Sequence, residues 1–117
     1  MPRFTISRHD HPELHWDLFL EDGSELLTWR LSEPPDSDQT IAAHVLPNHR
    51  HVYLDYAGPV SGNRGTVTPL TTGHFEWLIG DPSAKTIRVR LTSEEIHCEC
   101  ELRQLNADGW ECRMHPV

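Results

Sequence analysis

The chain has 117 residues and nine histidines, and its 10 Lys and Arg against 18 Asp and Glu give a formal net charge of −8. This length predicts a single domain with a real core, residues 1–117, and leaves no room for a second domain. The acidic balance argues against nucleic-acid binding through a broad basic surface, although a small cationic pocket remains compatible with it.

Short runs of alternating polar and apolar residues dominate the chain, which is typical of strands rather than helices. The run 15–21 alternates strictly, and Asp22-Gly23 predicts a hairpin turn into a return strand at 25–31. We predict an all-β fold, a small antiparallel β-barrel of about eight strands, with at most a short helical turn within 33–40. The candidate strands are residues 3–7, 15–21, 25–31, 41–46, 51–56, 66–70, 74–79, 86–91, 96–105 and 110–114.

The sequence also carries expectations about cellular location. No stretch approaches the roughly 20 apolar residues of a membrane span, and the N-terminal residues lack the apolar run of a signal peptide. The cysteines are few and odd in number, which argues against a disulfide framework. We therefore expect a cytoplasmic protein that does not contact membranes.

Histidine and aspartate side chains cluster near the N-terminus. His15 and Asp17 lie two apart on a predicted strand, so they project from one face with Cβ atoms about 6–7 Å apart. His9 precedes a proline-containing turn that can fold it back over this strand. Two imidazoles and a carboxylate leave coordination positions open and suit Mn²⁺, Fe²⁺ or Zn²⁺. A solvated surface pair is the alternative interpretation.

A second polar group lies on the candidate strand at 51–56. If this strand begins early, His49, His51, Tyr53 and Asp55 alternate onto one face. A histidine and a phenol placed there serve as hydrogen-bond donors to a phosphate or as a general acid. The alternative is a solvated polar face.

Two further residue types have competing interpretations. Cys98, Cys100, Cys112 and His115 could bind zinc across neighbouring strands, but a Cys-x2-Cys knuckle is absent and we expect small buried side chains instead. The tryptophans are expected in the core rather than as base-stacking platforms: Trp16, Trp29, Trp77 and Trp110.

These motifs resemble a known family. The pattern His-x5-His-x-Asp-x-x-Leu-Glu, from His9 to Glu21, is similar to the signature of the 3′-phosphoesterase domain of bacterial DNA ligase D. The resemblance continues with Thr28-Trp29, with the run from Asn48 to Tyr53, and with a Gly-rich stretch before Thr66-Val67. It implies a stand-alone antiparallel β-barrel domain that removes 3′ phosphates and 3′ ribonucleotides from primer ends.

The resemblance also implies a cofactor, partners and residue roles. Mn²⁺ is favoured, with Zn²⁺ or another divalent ion as alternatives, and the partners are 3′ ends of DNA or of RNA–DNA together with repair proteins. By position, the implied metal ligands are His9, His15 and Asp17. His49 corresponds to the phosphate-contacting histidine, and Tyr53 to the active-site tyrosine.

The sequence departs from the family where the family carries cations. Phe19 and Ile41 stand in place of arginines, Glu33 in place of a lysine, and Pro47 in place of a glutamate. The metal half of the site is therefore retained, while most of the family's phosphate-binding cations are lost. The candidate substitutes are Arg50 and Arg64, which flank the expected site, and Arg88 and Arg90, which share a strand face.

Three functions remain open at this point. The first is a metal-dependent 3′-phosphoesterase in DNA end processing. The second is a catalytically weak or inactive module that binds a metal and a phosphate in a DNA repair complex. The third is a cupin-like metalloenzyme that acts on small molecules.

Overall fold

Strands make up most of the regular structure. The computed structural model describes residues 1–35 and 38–117, and in these residues it contains nine strands and one 3₁₀ helix, His51–Leu54. The strands are β1 (Arg3–His9), β2 (His15–Asp22), β3 (Glu25–Leu31), β4 (Thr40–Arg50), β5 (Gly58–Pro59), β6 (Thr66–Ile79), β7 (Thr86–Thr92), β8 (His97–Gln104) and β9 (Trp110–Pro116). None of the helical segments in these two ranges is both long and apolar enough to cross a membrane.

The nine strands form one antiparallel sheet in the order β1-β2-β3-β4-β9-β8-β7-β6-β5, and β6 also pairs with β1. This second pairing closes eight of the strands into a ring. The 14-residue β6 reaches both partners, because residues 67–74 pair with β1 and residues 74–79 pair with β7. Gly73 lies where the partner changes, and a Cβ there would overlap the Thr92 carbonyl. The prediction of an all-β fold with about eight antiparallel strands is confirmed, but the separate strands predicted at 66–70 and 74–79 are one strand.

The strand predicted at 51–56 is wrong. β4 continues to Arg50, and the chain then turns into the 3₁₀ helix, in which the Asp55 N–H donates to the Val52 carbonyl. Val52 is 60% exposed whereas Leu54 is fully buried, so the apolar residues do not share a buried face as a strand would require. His51, Tyr53 and Asp55 therefore do not continue a polar strand face from His49.

The helical turn expected within 33–40 is not seen in the described part of that segment. Residues 33–35, 38 and 39 form no helix. Residues 36 and 37, on which part of this expectation falls, lie outside the described residues.

The strands β1, β2 and β3 are buried on both faces. Their inward face joins the main core inside the ring through residues such as Phe4, Leu18 and Trp29. On the outward face a second, smaller cluster consists of Phe19, Leu26 and Leu54, with Tyr53 packed against it. The chain after β4 therefore covers the outer surface of this part of the sheet. Alternation along β1 and β2 places His9, His15 and Asp17 on the same outward face.

The predictions for tryptophan and cysteine are confirmed. Trp29 and Trp110 are buried and meet edge to face with ring centroids 5.8 Å apart, while Trp16 and Trp77 are partly buried against the same core. The three cysteines are free and buried in the main core. His115 lies away from them in an ion pair with Asp38, so the described residues do not assemble the alternative zinc site.

Candidate functional site

The first hairpin brings the three predicted metal ligands together. In the β1–β2 register His9 lies directly opposite His15, and Ser7 lies opposite Asp17. The two imidazole rings meet edge to face with centroids 5.0 Å apart. One ligand atom of each of His9, His15 and Asp17 lies within 4.8 Å of the others, and within the described ranges this is the one group of three or more such side chains. The spacing is that of ligands around a single ion.

Backbone carbonyls fix the tautomers of both histidines. His9 Nε2 lies 2.8 Å from the Arg64 carbonyl oxygen, and His15 Nδ1 lies 2.8 Å from the Glu13 carbonyl oxygen. A carbonyl oxygen only accepts hydrogen bonds, so each of these nitrogens carries a proton. His9 Nδ1 and His15 Nε2 are then left with lone pairs. Metal-binding histidines in proteins are held in this way, with the second ring nitrogen donating to an oxygen.

Two atoms of the cluster are buried without a partner. His15 and Asp17 are only 4% and 6% exposed, and His15 Nε2 and Asp17 Oδ1 have no hydrogen-bond partner among the described residues. His15 Nε2 lies 3.4 Å from Asp17 Oδ2, which is long for a charge-assisted hydrogen bond. The neutral imidazole of His15, with its proton on Nδ1, turns a lone pair toward this carboxylate. A divalent cation accepts electrons from both atoms and removes this repulsion, so the donor set fits a metal.

The loop before β6 supports the cluster from the other side. The Thr66 N–H donates to Asp10 Oδ1 at 2.7 Å, and this bond holds the pKa of Asp10 below its ordinary value. Gly65 has φ of +76°, and a Cβ there would overlap the Asp10 carboxylate and the His11 side chain. The close packing of this loop on Asp10 places the Arg64 carbonyl against His9. Sequence reasoning missed this support because nothing in the local pattern pairs residues 64–66 with 9–11.

His49 and Tyr53 are close to each other but in different surroundings. Their rings lie 5.9 Å apart, and His49 also contacts Phe19 at 5.5 Å. His49 Nδ1 donates to the Pro47 carbonyl, which leaves Nε2 as the free ring nitrogen. Glu21 on β2 pairs with Leu26 on β3, and Leu26 pairs with His49 on β4. His49 therefore lies level with Glu21, which is four residues from Asp17, or about 13 Å in the strand direction.

The arginines suggested as substitute cations are mostly engaged elsewhere. Arg64 donates from its guanidinium to the Ser61 carbonyl and hydroxyl within its own loop. Arg50 lies over the Tyr53 ring, with its guanidinium carbon 5.7 Å from the centroid, at a pocket of about 520 Å³ beside the 3₁₀ helix. The other two candidates form ion pairs with glutamates: Arg88 with Glu101, and Arg90 with Glu76 and Glu99.

One cation beside the cluster is absent from the sequence-based prediction. Arg30 on β3 lies directly opposite Asp17, and His44 on β4 lies opposite Arg30. Both line an open pocket of about 320 Å³ that has His15 in its wall. The hairpin carried a signal for this contact, because a two-residue turn at Gly23-Ser24 sets Asp17 against Arg30. The sequence alone left the centre of that turn one residue uncertain, and a shift of one residue moves the arginine to another partner.

The two apolar residues that stand where the family carries arginines pack in hydrophobic clusters. Phe19 belongs to the outer cluster and Ile41 to the main core, while Glu33 is exposed. A charged side chain at either apolar position would be buried, which costs free energy.

Comparison with known protein families gives a match over most of the chain. Residues 7–108 match the family described as DNA Ligase D 3'-phosphoesterase domain. This range contains the three clustered ligands as well as Arg30, His49 and Tyr53. No curated protein matches the chain.

Proposed function

The chain belongs to the DNA ligase D 3′-phosphoesterase domain family, and from this membership we propose a metal-dependent phosphoesterase that acts on 3′ ends. The family supports 3′-end processing. The finer assignment is removal of a 3′ phosphate or a 3′ ribonucleotide from a DNA primer, with Mn²⁺ as the preferred ion and Zn²⁺ or another divalent ion as alternatives.

Two buried atoms that lack a hydrogen-bond partner within the described residues carry this proposal, His15 Nε2 and Asp17 Oδ1. They would hold the ion together with His9, and an ion so bound polarises a phosphoryl oxygen and lowers the pKa of a bound water. The protein's own contribution is to orient the ligands: the Glu13 and Arg64 carbonyls fix both imidazoles before any ion arrives. Such preorganisation reduces the reorganisation needed on binding.

His49 and Tyr53 are proposed to contact the bound strand end on the far side of Phe19. The Nδ1–H bond to Pro47 orients the His49 ring and leaves Nε2 to accept or, when protonated, donate a proton. Because the register separates His49 from Asp17, we expect it to contact a more distant part of the bound strand end than the metal ligands do. Tyr53 would assist by hydrogen bonding through its hydroxyl group.

The proposed partner is a strand end rather than a long duplex. A net charge of −8 opposes binding along a broad polyanionic surface, whereas a single terminal phosphate needs only a local site. We place the protein in DNA repair, among other end-processing proteins, on the strength of the family alone. The cytoplasmic location stays an expectation from the few, odd-numbered cysteines.

A phosphate-release assay tests the function. Wild-type protein with Mn²⁺ and a primer bearing a 3′ phosphate is expected to release inorganic phosphate, and chelation should stop the reaction. His15→Ala should lower the rate at least about 100-fold, since removal of a ligand abolishes a metal site's chemistry. Glu94→Gln, an exposed change remote in sequence from the cluster, is the control. Equal release by wild type and His15→Ala would refute the proposal.

The catalytically weak binding module is the second candidate, and the buried Phe19 favours it because no cation occupies that position. In this case wild-type protein would bind Mn²⁺ and a 3′-phosphorylated primer, yet release no more phosphate than His15→Ala. Failure of wild-type protein to bind Mn²⁺, Zn²⁺ or another divalent ion would contradict both functions.

A further inference from the structure

We propose that Arg30, supported by His44, binds a phosphate group of the substrate in the pocket beside His15. The proposal rests on the function proposed above and names the cation that replaces those missing at positions 19 and 41. The ligand class is a phosphate monoester or diester at a polynucleotide end.

The register places Arg30 beside the metal ligands. Arg30 lies opposite Asp17 across the β2–β3 pairing, and alternation puts both side chains on the outward face of the sheet. His15 is at once a member of the ligand cluster and part of the pocket wall that Arg30 lines. An anion in this pocket would therefore lie next to an ion held by His15.

Arg30 is available for a ligand. Within the described residues Arg30 takes part in no ion pair with an Asp or Glu side chain. Five other arginines do form such pairs: Arg3, Arg88, Arg90, Arg103 and Arg113. The Nε atom of Arg30 is buried and has no hydrogen-bond partner in the same residues. A buried donor without an acceptor is costly, and an incoming oxygen anion would satisfy it.

The pocket suits a phosphate in size and chemistry. Its volume of about 320 Å³ is several times the roughly 30 Å³ share of one water molecule in the liquid. A planar guanidinium binds two phosphate oxygens at once, which a lysine cannot do. Opposite it, His44 donates from Nδ1 to the Asp108 carbonyl, which orients the ring. The one acidic residue in the wall, Glu13, is exposed, so water screens its charge.

The test measures binding of inorganic phosphate to Mn²⁺-loaded protein by calorimetry, with Mn²⁺ affinity measured separately. Arg30→Gln should weaken phosphate binding by about tenfold or more, the effect of losing charge-assisted hydrogen bonds, and leave Mn²⁺ affinity within about twofold. Arg30→Lys should give an intermediate loss of phosphate affinity. Because it preserves the charge, this variant also serves as the test if Arg30→Gln fails to fold. Arg103→Gln removes the same charge from an exposed pair with Glu111 and should bind phosphate like wild type.

Three outcomes would overturn the proposal. Unchanged phosphate affinity in both Arg30 variants would show that the pocket does not bind the anion. An equal loss of phosphate affinity in Arg103→Gln would show that the effect comes from the change in net charge. A loss of Mn²⁺ binding in Arg30→Lys would show that Arg30 supports Asp17 in the metal site instead of binding the phosphate. Since phosphate binding is measured without turnover, an inactive wild-type protein would refute the phosphoesterase function but not this site.

Discussion

His9 and Arg64 are 55 residues apart in sequence, yet the His9 imidazole donates from Nε2 to the Arg64 carbonyl oxygen at 2.8 Å. A ligand at the end of β1 is thus oriented by the loop that precedes β6. The acceptor is a backbone atom, so the support depends on the shape of the loop rather than on a direct contact between the arginine side chain and His9.

Gly65→Ala should damage the metal site without touching a ligand. An added Cβ would overlap the Asp10 carboxylate, and the left-handed φ disfavours alanine, so the loop must move away from His9. We expect Mn²⁺ affinity to fall by about 10- to 100-fold, the usual cost of losing an outer support. Gly23→Ala is the matched control, because Gly23 also has a left-handed φ but nothing lies within 4 Å of its added Cβ. Equal loss in both variants would contradict the role of the loop.

Asp17→Asn should separate stability from metal binding. The substitution removes a buried charge whose Oδ1 has no partner, so the metal-free variant should unfold at a higher temperature than metal-free wild type. Mn²⁺ at 100 times its Kd should stabilise wild type by about 2.7 kcal/mol and leave the variant unchanged. Differential scanning calorimetry with and without Mn²⁺ gives both numbers. Asp22→Asn changes an exposed residue on the same strand and should behave like wild type. An increase in the stability of Asp17→Asn on adding Mn²⁺ would count against the metal site.

The pH dependence of stability should carry a contribution from Glu21. A hydrogen bond with His51 and one from the Arg3 N–H hold the pKa of Glu21 below its usual 4.5. A carboxyl whose folded pKa is lowered adds stability above its unfolded pKa, and this stability is lost as the pH falls through the folded value. Glu21→Gln should therefore cost about 1 kcal/mol at neutral pH and progressively less below pH 4.5.

Urea unfolding between pH 3 and pH 7 measures this difference. Glu94→Gln provides the comparison, since Glu94 is exposed, and its stability should track wild type across the range. A Glu21→Gln deficit that stays constant down to pH 3 would rule out the linkage.

The buried thiols should resist alkylation. Burial, with a smaller contribution from Cys112, raises the pKa of Cys98 to about 11, and the bond with Cys112 together with burial raises that of Cys100 well above its ordinary range. At pH 8 a shift from 9 to 11 lowers the Cys98 thiolate fraction about 100-fold, and the thiolate is the reactive form. Iodoacetamide labelling followed by mass spectrometry should find Cys98 and Cys100 unmodified in folded protein and modified in denaturant. Fast labelling of folded protein would show that these side chains are not buried.

Local patterns were enough to predict much of the fold and half of the candidate site. Strict alternation over 15–21 placed His15 and Asp17 on one face, and the structure agrees. The prediction of a strand at 51–56 failed because the alternation of polar and apolar residues there is equally compatible with a helical turn that buries only Leu54. The predicted grouping of Tyr53 with a polar strand face failed with it.

The remaining contacts depend on register and on long-range packing, which local patterns do not encode. Arg30 meets Asp17 only because the β2–β3 turn is centred on Gly23-Ser24. The support of His9 by Arg64 requires the ring to close through β1 and β6, a pairing between segments about sixty residues apart.

The outer cluster also bears on how this sequence could have changed. Phe19 packs with Leu54, the one buried residue of the 3₁₀ helix, at a position that is only 3% exposed. An arginine at position 19 would lose this packing and bury a charge, which would destabilise the helix that carries Tyr53. A cation at position 19 would therefore come at a cost in stability to the 3₁₀ helix. Arg30 lies across the sheet, where a cation does not displace the outer cluster.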